Sequence, residues 1–370
     1  MANSGLIFIP DISGFTKFVT QTEIKHSNHI VTELIELLLE SNSSLLNISE
    51  IEGDAILFYK LDKVPSFEKL WKLIKTMFLN FHSYLKVIER DRVCQCGACS
   101  TASMLSLKFI VHCGVFNEVQ IQSFTKLMGS DVILAHRLLK NEIKTDEYTL
   151  FTKNFLDENK LNFSDDENWA KLTDYSHHYE NFGHVKAQFI DLSKLKVTVP
   201  EAPDVKTKSS ISGPPDKVIQ IKAPPTLVHQ IITDHTIKPL IDSRIKETKG
   251  FEINRLNGSH TCVFDDLEIH FVTTGNNITS NEMNYSEKAD IGLGFTFTTY
   301  FKIVGNENGS ELSIRINPDK SNRQDSNPFK RLFDDLKIWF IMGKIKSQTL
   351  KGMKVVVDYI EKEALKPTLD

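Results

Sequence analysis

Residues 7–16 read Ile7-Phe8-Ile9-Pro10-Asp11-Ile12-Ser13-Gly14-Phe15-Thr16 (IFIPDISGFT). An apolar run suited to a buried strand meets one acid, then a glycine, then a helix start. From the residues alone, Asp11 is either a turn or cap residue or a metal ligand. A second acid follows in LNISEIEGDAILFYK (46–60), where two short apolar runs are split by Gly53-Asp54. That spacing predicts a tight hairpin with Asp54 at its tip. Strand ends and hairpin tips of one sheet can converge, which would let both carboxylates face a shared site. Hard divalent ions take such oxygen ligands, commonly one or two carboxylates plus substrate phosphates. The backbone N–H groups of Gly14, Phe15 and Thr16, at a helix start, suit a phosphate. Two carboxylates beside a phosphate cradle form the layout of two-metal phosphoryl chemistry.

The 370 residues exceed one ordinary core, so two domains are expected. A hydrophobic share of 41% and a charged share of 25% are those of a soluble globular protein. A net charge of −4 gives no sign of nucleic-acid binding. The N-terminus lacks the basic n-region of a signal peptide, and no apolar run is long enough to span a membrane. With five cysteines, three of them in one short segment, a disulfide framework is not indicated, and a reducing cytoplasm is the expected compartment.

Periodicity predicts a helix from about Phe15 to Glu40 and another from Pro65 to Val87. It predicts strands over 105–116 and 185–192, with a helix over 132–139 between them. Residues 194–216, rich in Pro, Ser and Lys, read as a linker. Beyond it, VIQIKAPPTLVHQIITD (218–234) predicts a strand, a Pro turn and an amphipathic helix. Alternating apolar runs from about Phe251 to Ile316 predict antiparallel strands, and Pro328–Ala364 a long helix with Gly343 and Gly352 as possible breaks. The division expected is therefore 1–193, a linker at 194–216, and 217–370, in an α+β chain.

PDISGFT followed by EGDAILFY resembles the class III nucleotide cyclase domain, whose first metal Asp lies in an Asp-Ile-x-Gly-Phe-Thr motif and whose second lies at a Gly-Asp hairpin. The similarity continues in order: LKFIVHCG (107–114), LMGSDVILAHR (127–137) and FGHVKAQF (182–189) resemble later family motifs. It covers about residues 5–193. The resemblance implies a ferredoxin-like N-terminal fold and makes Asp11, Asp54 and the carbonyl of Ile12 ligands of Mg²⁺ or Mn²⁺. It makes Arg137 a stabiliser of transition-state charge and Lys186 a holder of terminal phosphates. The implied chemistry is attack of a ribose 3′-OH on the α-phosphate of a nucleoside triphosphate, releasing pyrophosphate, at a site shared across a head-to-tail homodimer. Two positions depart from the family. Its transition-state Asn falls on Ile133, which donates no hydrogen bond. Its base-reading pair falls on Glu50 and Lys126. Members that use ATP place Lys at the first of these, and guanylate-type members place Glu. Glu50 and Lys126 either read a different base or pair with each other and close the pocket.

DRVCQCGACSTAS (91–103) puts Cys94, Cys96 and Cys99 within six residues. Thiolates this dense suit a soft ion, zinc above all. A closed tetrahedral site needs a fourth ligand, for which Cys113 is the first candidate and His112 the next. Adjacent strand residues point to opposite faces, so only one of the two qualifies. A redox-active thiol loop is the alternative. Lone histidines such as His177, His178 and His184 read as solvated or hydrogen-bonded, and the lysines of 344–354 as the wet face of a helix.

Residues 216–365 resemble, by pattern more than motif, the START-like or Bet v 1-like helix-grip superfamily. That resemblance implies an antiparallel sheet curled on the long final helix around a cavity for a hydrophobic small molecule. Phe264, Phe271, Phe295, Phe297, Tyr300 and Trp339 are its candidate liners. The implied division of labour is a C-terminal sensor that biases dimer geometry in a nucleotide-binding N-terminal domain.

Overall fold

The computed structural model describes residues 3–366 apart from 23, 63, 95, 162, 165–166, 203–212, 251–253, 266, 293–294 and 320–327. Contacts divide the chain into two units: Met1–Arg90 with Cys96–Pro203, and Asp91–Gln95 with Asp204–Asp370. Part of the expected linker, 203–212, lies outside the described residues.

The first unit runs β1 (Asn3–Ser13), α1 (Phe15–Thr20), α2 (Ile24–Ser41), β2 (Asn47–Glu52), β3 (Ala55–Leu61), α3 (Phe67–Asp91) and α4 (Gly97–Thr101). It continues with β4 (Ser106–Ile121), β5 (Phe124–Met128), α5 (Ser130–Leu138), β6 (Tyr148–Thr152), α6 (Lys153–Glu158), β7 (Thr173–Tyr179), β8 (Gly183–Asp191) and α7 (Ser193–Lys196). Its sheet has the order β2-β3-β1-β4-β6-β8-β7, with β5 paired to the far half of β4. Among the described residues, only the β4–β6 pairing is parallel.

β1 is central because its apolar run can be buried on both faces. Leu6, Ile7 and Phe8 are fully buried and Ile9 nearly so. Each such side chain contributes roughly 1.5–3 kcal/mol by leaving water. Phe8 stacks on Phe109 of β4, while Ile7 and Ile9 belong to the cluster that receives Val132, Ala135 and Leu138 of α5. On the other side Phe67 of α3 meets Phe151 of β6 edge-on.

The helix expected over 15–40 is two helices. α1 stops at Thr20, where the hydroxyl of Thr20 donates to the carbonyl of Thr16 and competes with the helical ladder. β4 outruns its expected end at 116 and turns back into β5, a hairpin that the polar, weakly patterned run 117–128 did not announce. β6 and β7 were likewise not anticipated: β6 is buried along its whole length, and β7 is a mostly polar edge strand.

The second unit holds β9 (Lys217–Ile221), α8 (Pro225–Thr233), α9 (Lys238–Ile241), β10 (Glu247–Gly250), β11 (Ser259–Val263), β12 (Glu268–Ile278), β13 (Glu282–Asp290), β14 (Thr296–Asn306), β15 (Gly309–Pro318) and α10 (Pro328–Ala364). Its strands form one antiparallel sheet in the order β10-β11-β12-β13-β14-β15-β9. α10 runs through Gly343 and Gly352 without a break. Ile232 of α8, Phe301 and Ile314 of the sheet, and Met353, Val357 and Ile360 of α10 share one core. Among the described residues no helix is long and apolar enough to cross a membrane.

Candidate functional site

Sheet register sets the first acid. Asp11 lies opposite Ala55 of β3 on one side and opposite Lys108 of β4 on the other. The amide of Ile12 donates to the carbonyl of Asp54 (3.1 Å), so the hairpin tip is stitched to the end of β1. Gly53 turns the hairpin with φ +63°, and Gly14 takes φ +85° immediately before α1. Both angles lie in the left-handed region that glycine enters at little cost.

Asp11 is 7% exposed, and its Oδ1 lies 3.2 Å from Nζ of Lys108. Burial raises its pKa above the ordinary carboxylate value, and Lys108 pulls the other way. Asp54 is pushed up to about 6, first by burial and then by the neighbouring charge of Asp11. Two carboxylates that resist being ionised together suit a divalent cation, which relieves both terms. Lys108 is the cation already beside them.

A cleft of about 750 Å³ joins these residues. Its lining includes the expected Asp11, Ile12, Gly14, Phe15, Thr16, Asp54 and Arg137, together with Ile133 and the unanticipated Lys108, Glu52 and His136. Ile133 is 55% exposed, an apolar side chain displayed beside a polar cleft. The Arg137 guanidinium sits over the ring of Phe182 and donates to the carbonyl of Glu180 (3.3 Å). His136 Nδ1 lies 3.3 Å from Glu52 Oε2.

Three expected site residues stand outside that lining. Lys186 is exposed on β8, opposite Ser176 of β7. Glu50 and Lys126 form an ion pair, Oε2 to Nζ 3.0 Å, between β2 and β5.

The strand-to-helix motif around His112 has a scaffolding role here. His112 is buried, with Nε2 3.0 Å from Asp131 Oδ1 and Nδ1 2.9 Å from Thr152 Oγ1. The amide of Val115 donates to the other Asp131 oxygen (2.8 Å). The His112 hydrogen bond holds the Asp131 carboxyl below its usual pKa. Gly114 makes room for this, since a methyl group there would lie 2.3 Å from the Asp131 carboxyl carbon. The start of α5 is thereby fixed to β4, which sets where Ile133 and Arg137 stand.

The cysteines need a correction. Cys113 is not with the others: it is buried on β4, and its thiol is pushed up to about 12 by burial and then by Glu158. His112 is occupied by Asp131. The side chain that joins Cys96 and Cys99 is His26, from the first turn of α2, with Nδ1 3.1 Å from Cys96 Sγ and 3.6 Å from Cys99 Sγ. A lone histidine some seventy residues upstream gives no spacing signal. None of the five cysteines is in a disulfide. Elsewhere, His177 Nδ1 lies 3.7 Å from a Glu142 oxygen, and the rings of His178 and His184 meet edge-on.

In the second unit a cavity of about 450 Å³ is lined by Phe264, Phe271 and Phe297, as expected, with Ile232, Phe301 and Met353. Phe295 packs against the core beside it. Tyr300 is adjacent to Phe301 on β14 and therefore points to the other sheet face. The Trp339 side chain lies outside the described residues. Lys238, Arg244 and Glu287 also line the cavity.

A family described as "protein of unknown function (DUF2652)" matches residues 31–148. The chain is 28% identical over 184 residues to the uncharacterized protein Rv2561/Rv2562 of Mycobacterium tuberculosis (strain ATCC 25618 / H37Rv), covering 47% of this chain and 78% of that protein. Among solved structures it is similar to the catalytic core of a rhodopsin-guanylyl cyclase with converted specificity in complex with ATPalphaS. That likeness has 12% identity and a TM-score of 0.37, over 51% of this chain and 96% of that one. It is also similar to a bacterial light-regulated adenylyl cyclase, at 15% identity and a TM-score of 0.38, over 53% and 96%. A third is the adenylyl cyclase CyaB from P. aeruginosa, at 13% identity and a TM-score of 0.35, over 52% and 95%.

Proposed function

We propose that the first unit binds a nucleoside triphosphate with Mg²⁺ or Mn²⁺ in the manner of a class III nucleotide cyclase. The carrying observation is the shared cleft of Asp11 and Asp54, two partly or wholly buried carboxylates whose charges oppose each other, with Arg137 on its wall. Asp11, Asp54 and the carbonyl of Ile12 would hold the ion. When bound, it would neutralise the carboxylates and draw the phosphate oxygens into the cleft. Gly14, Phe15 and Thr16 line the approach for phosphate, and Arg137 faces charge that develops on it. In this reading Lys186, exposed on β8, serves the site of a second copy in a head-to-tail homodimer.

Ile133 and the Glu50–Lys126 pair favour a second reading, a domain that binds the nucleotide and turns it over slowly or not at all. Removing one transition-state donor costs roughly 3–4 kcal/mol. Incubating the purified protein with Mn²⁺ and each of the four nucleoside triphosphates separates the readings. Cyclic product and pyrophosphate in equal amounts support the enzyme, and binding without product supports the second reading. No binding of any triphosphate, in protein whose Asp11→Asn variant behaves identically, ends both.

We further propose that the second unit holds a hydrophobic small molecule in a START-like manner, supported by the aromatic cavity. A fluorescent fatty acid should bind, and Thr299→Trp, which fills the cavity from a buried wall position, should abolish binding.

A further inference from the structure

We propose that His26, Cys96 and Cys99 bind one zinc ion that ties the start of α2 to α4. This inference is independent of the nucleotide reading.

The ligand atoms of His26, Cys96 and Cys99 lie within 4.8 Å of one another. Zn–S bonds of about 2.3 Å and Zn–N bonds of about 2.0–2.1 Å at tetrahedral angles separate N from S by about 3.5 Å. The observed His26–Cys separations, 3.1 and 3.6 Å, bracket that value. Cys96 and Cys99 are 8% and 4% exposed, whereas an ordinary pair of buried thiols would pack against apolar neighbours rather than an imidazole nitrogen. The amide of Cys99 donates to Cys96 Sγ (3.4 Å), which holds that sulfur at the start of α4. Two sulfurs and one imidazole supply three of the four ligands that a tetrahedral zinc ion takes.

The location gives the ion a mechanical consequence. The 3₁₀ turn Ala102–Met104 follows α4 directly, and a methyl group on Gly14 would lie 3.7 Å from the Met104 carbonyl oxygen and 3.9 Å from Leu105. The turn that follows α4 thus backs the loop between Asp11 and α1, while His26 sits just beyond α1. An ion joining them would clamp the segments on either side of that loop.

The test uses the full chain purified without chelator. About one zinc per chain is expected. Exchange into cobalt should give the intense visible bands and thiolate charge-transfer absorption of a tetrahedral sulfur-rich site. His26→Ala should weaken zinc binding by about 100-fold or more. His26→Cys should retain it, and Cys113→Ser should leave it unchanged. If His26→Ala fails to fold, titrating the unaltered protein with a mercurial should release its zinc as Cys96 and Cys99 react. Hydrogen exchange at α4 and residues 102–105 should quicken on chelation. Protein with no stoichiometric metal, a Cys96–Cys99 disulfide in its place, or metal lost equally in Cys113→Ser overturns the proposal.

Discussion

Nζ of Lys108 lies 3.2 Å from Oδ1 of Asp11, directly across the β1–β4 ladder and largely out of water. The lysine occupies the electrostatic role that a divalent cation would fill. Replacing it with Met leaves the buried carboxylate without a counter-charge, a loss of about 2–4 kcal/mol. Mn²⁺ should restore most of that loss. Thermal melts of Lys108→Met with and without Mn²⁺ check this: the metal-induced rise in Tm should be larger than in the unaltered protein.

Asp54 carries a pH signature. Its folded pKa of about 6 stands above the ordinary 3.8. Between those values the folded state binds more protons than the unfolded one, so this group's contribution to stability falls as pH rises through that window. The metal-free protein should lose stability over about pH 4–6, less steeply than a fully buried acid because Asp54 is partly solvated. Asp54→Asn should flatten that slope and raise metal-free stability, while abolishing any stabilisation by Mn²⁺. Denaturant melts at a series of pH values read all three effects.

Ile133 offers a gain-of-function test. Because the side chain is 55% exposed, Ile133→Asn should cost little in folding. If the cleft performs cyclase chemistry, supplying the missing donor should raise kcat by about 100-fold. Product formation from the preferred triphosphate in the two proteins is the measurement. An unchanged rate in an enzyme that is active would remove Ile133 from the reaction.

The Glu50–Lys126 pair is half exposed on the lysine side, so Lys126→Ala should change stability by less than about 1 kcal/mol. Exchanging the charges, Glu50→Lys with Lys126→Asp, restores the arrangement that the resemblance assigns to ATP users. Binding should shift toward ATP over GTP in a direct competition assay, with the pair's stability retained.

The local parts of this protein were legible in the chain. The apolar run of β1, the Gly53-Asp54 turn and the cysteine loop are each written within a dozen residues, because backbone propensity and side-chain alternation act over that range. Less was legible where polarity was mixed. β5 and β7 carry too few apolar residues for a period to stand out, and the break after α1 rests on threonine hydroxyls competing with backbone carbonyls.

Local pattern along the chain thus specifies which acids end the strands, which turn needs glycine and which segment concentrates thiols. Their companions come from long-range packing. Lys108 stands opposite Asp11 because β4, nearly a hundred residues away, pairs with β1 in one register. His26, not Cys113, joins Cys96 and Cys99 because α2 returns beside α4, while Cys113 is buried on β4 next to Glu158. Lys126 meets Glu50 because β5 folds back along β4. Strand register and helix packing arise from burying distant apolar surfaces together, a collective choice that no short stretch of chain encodes.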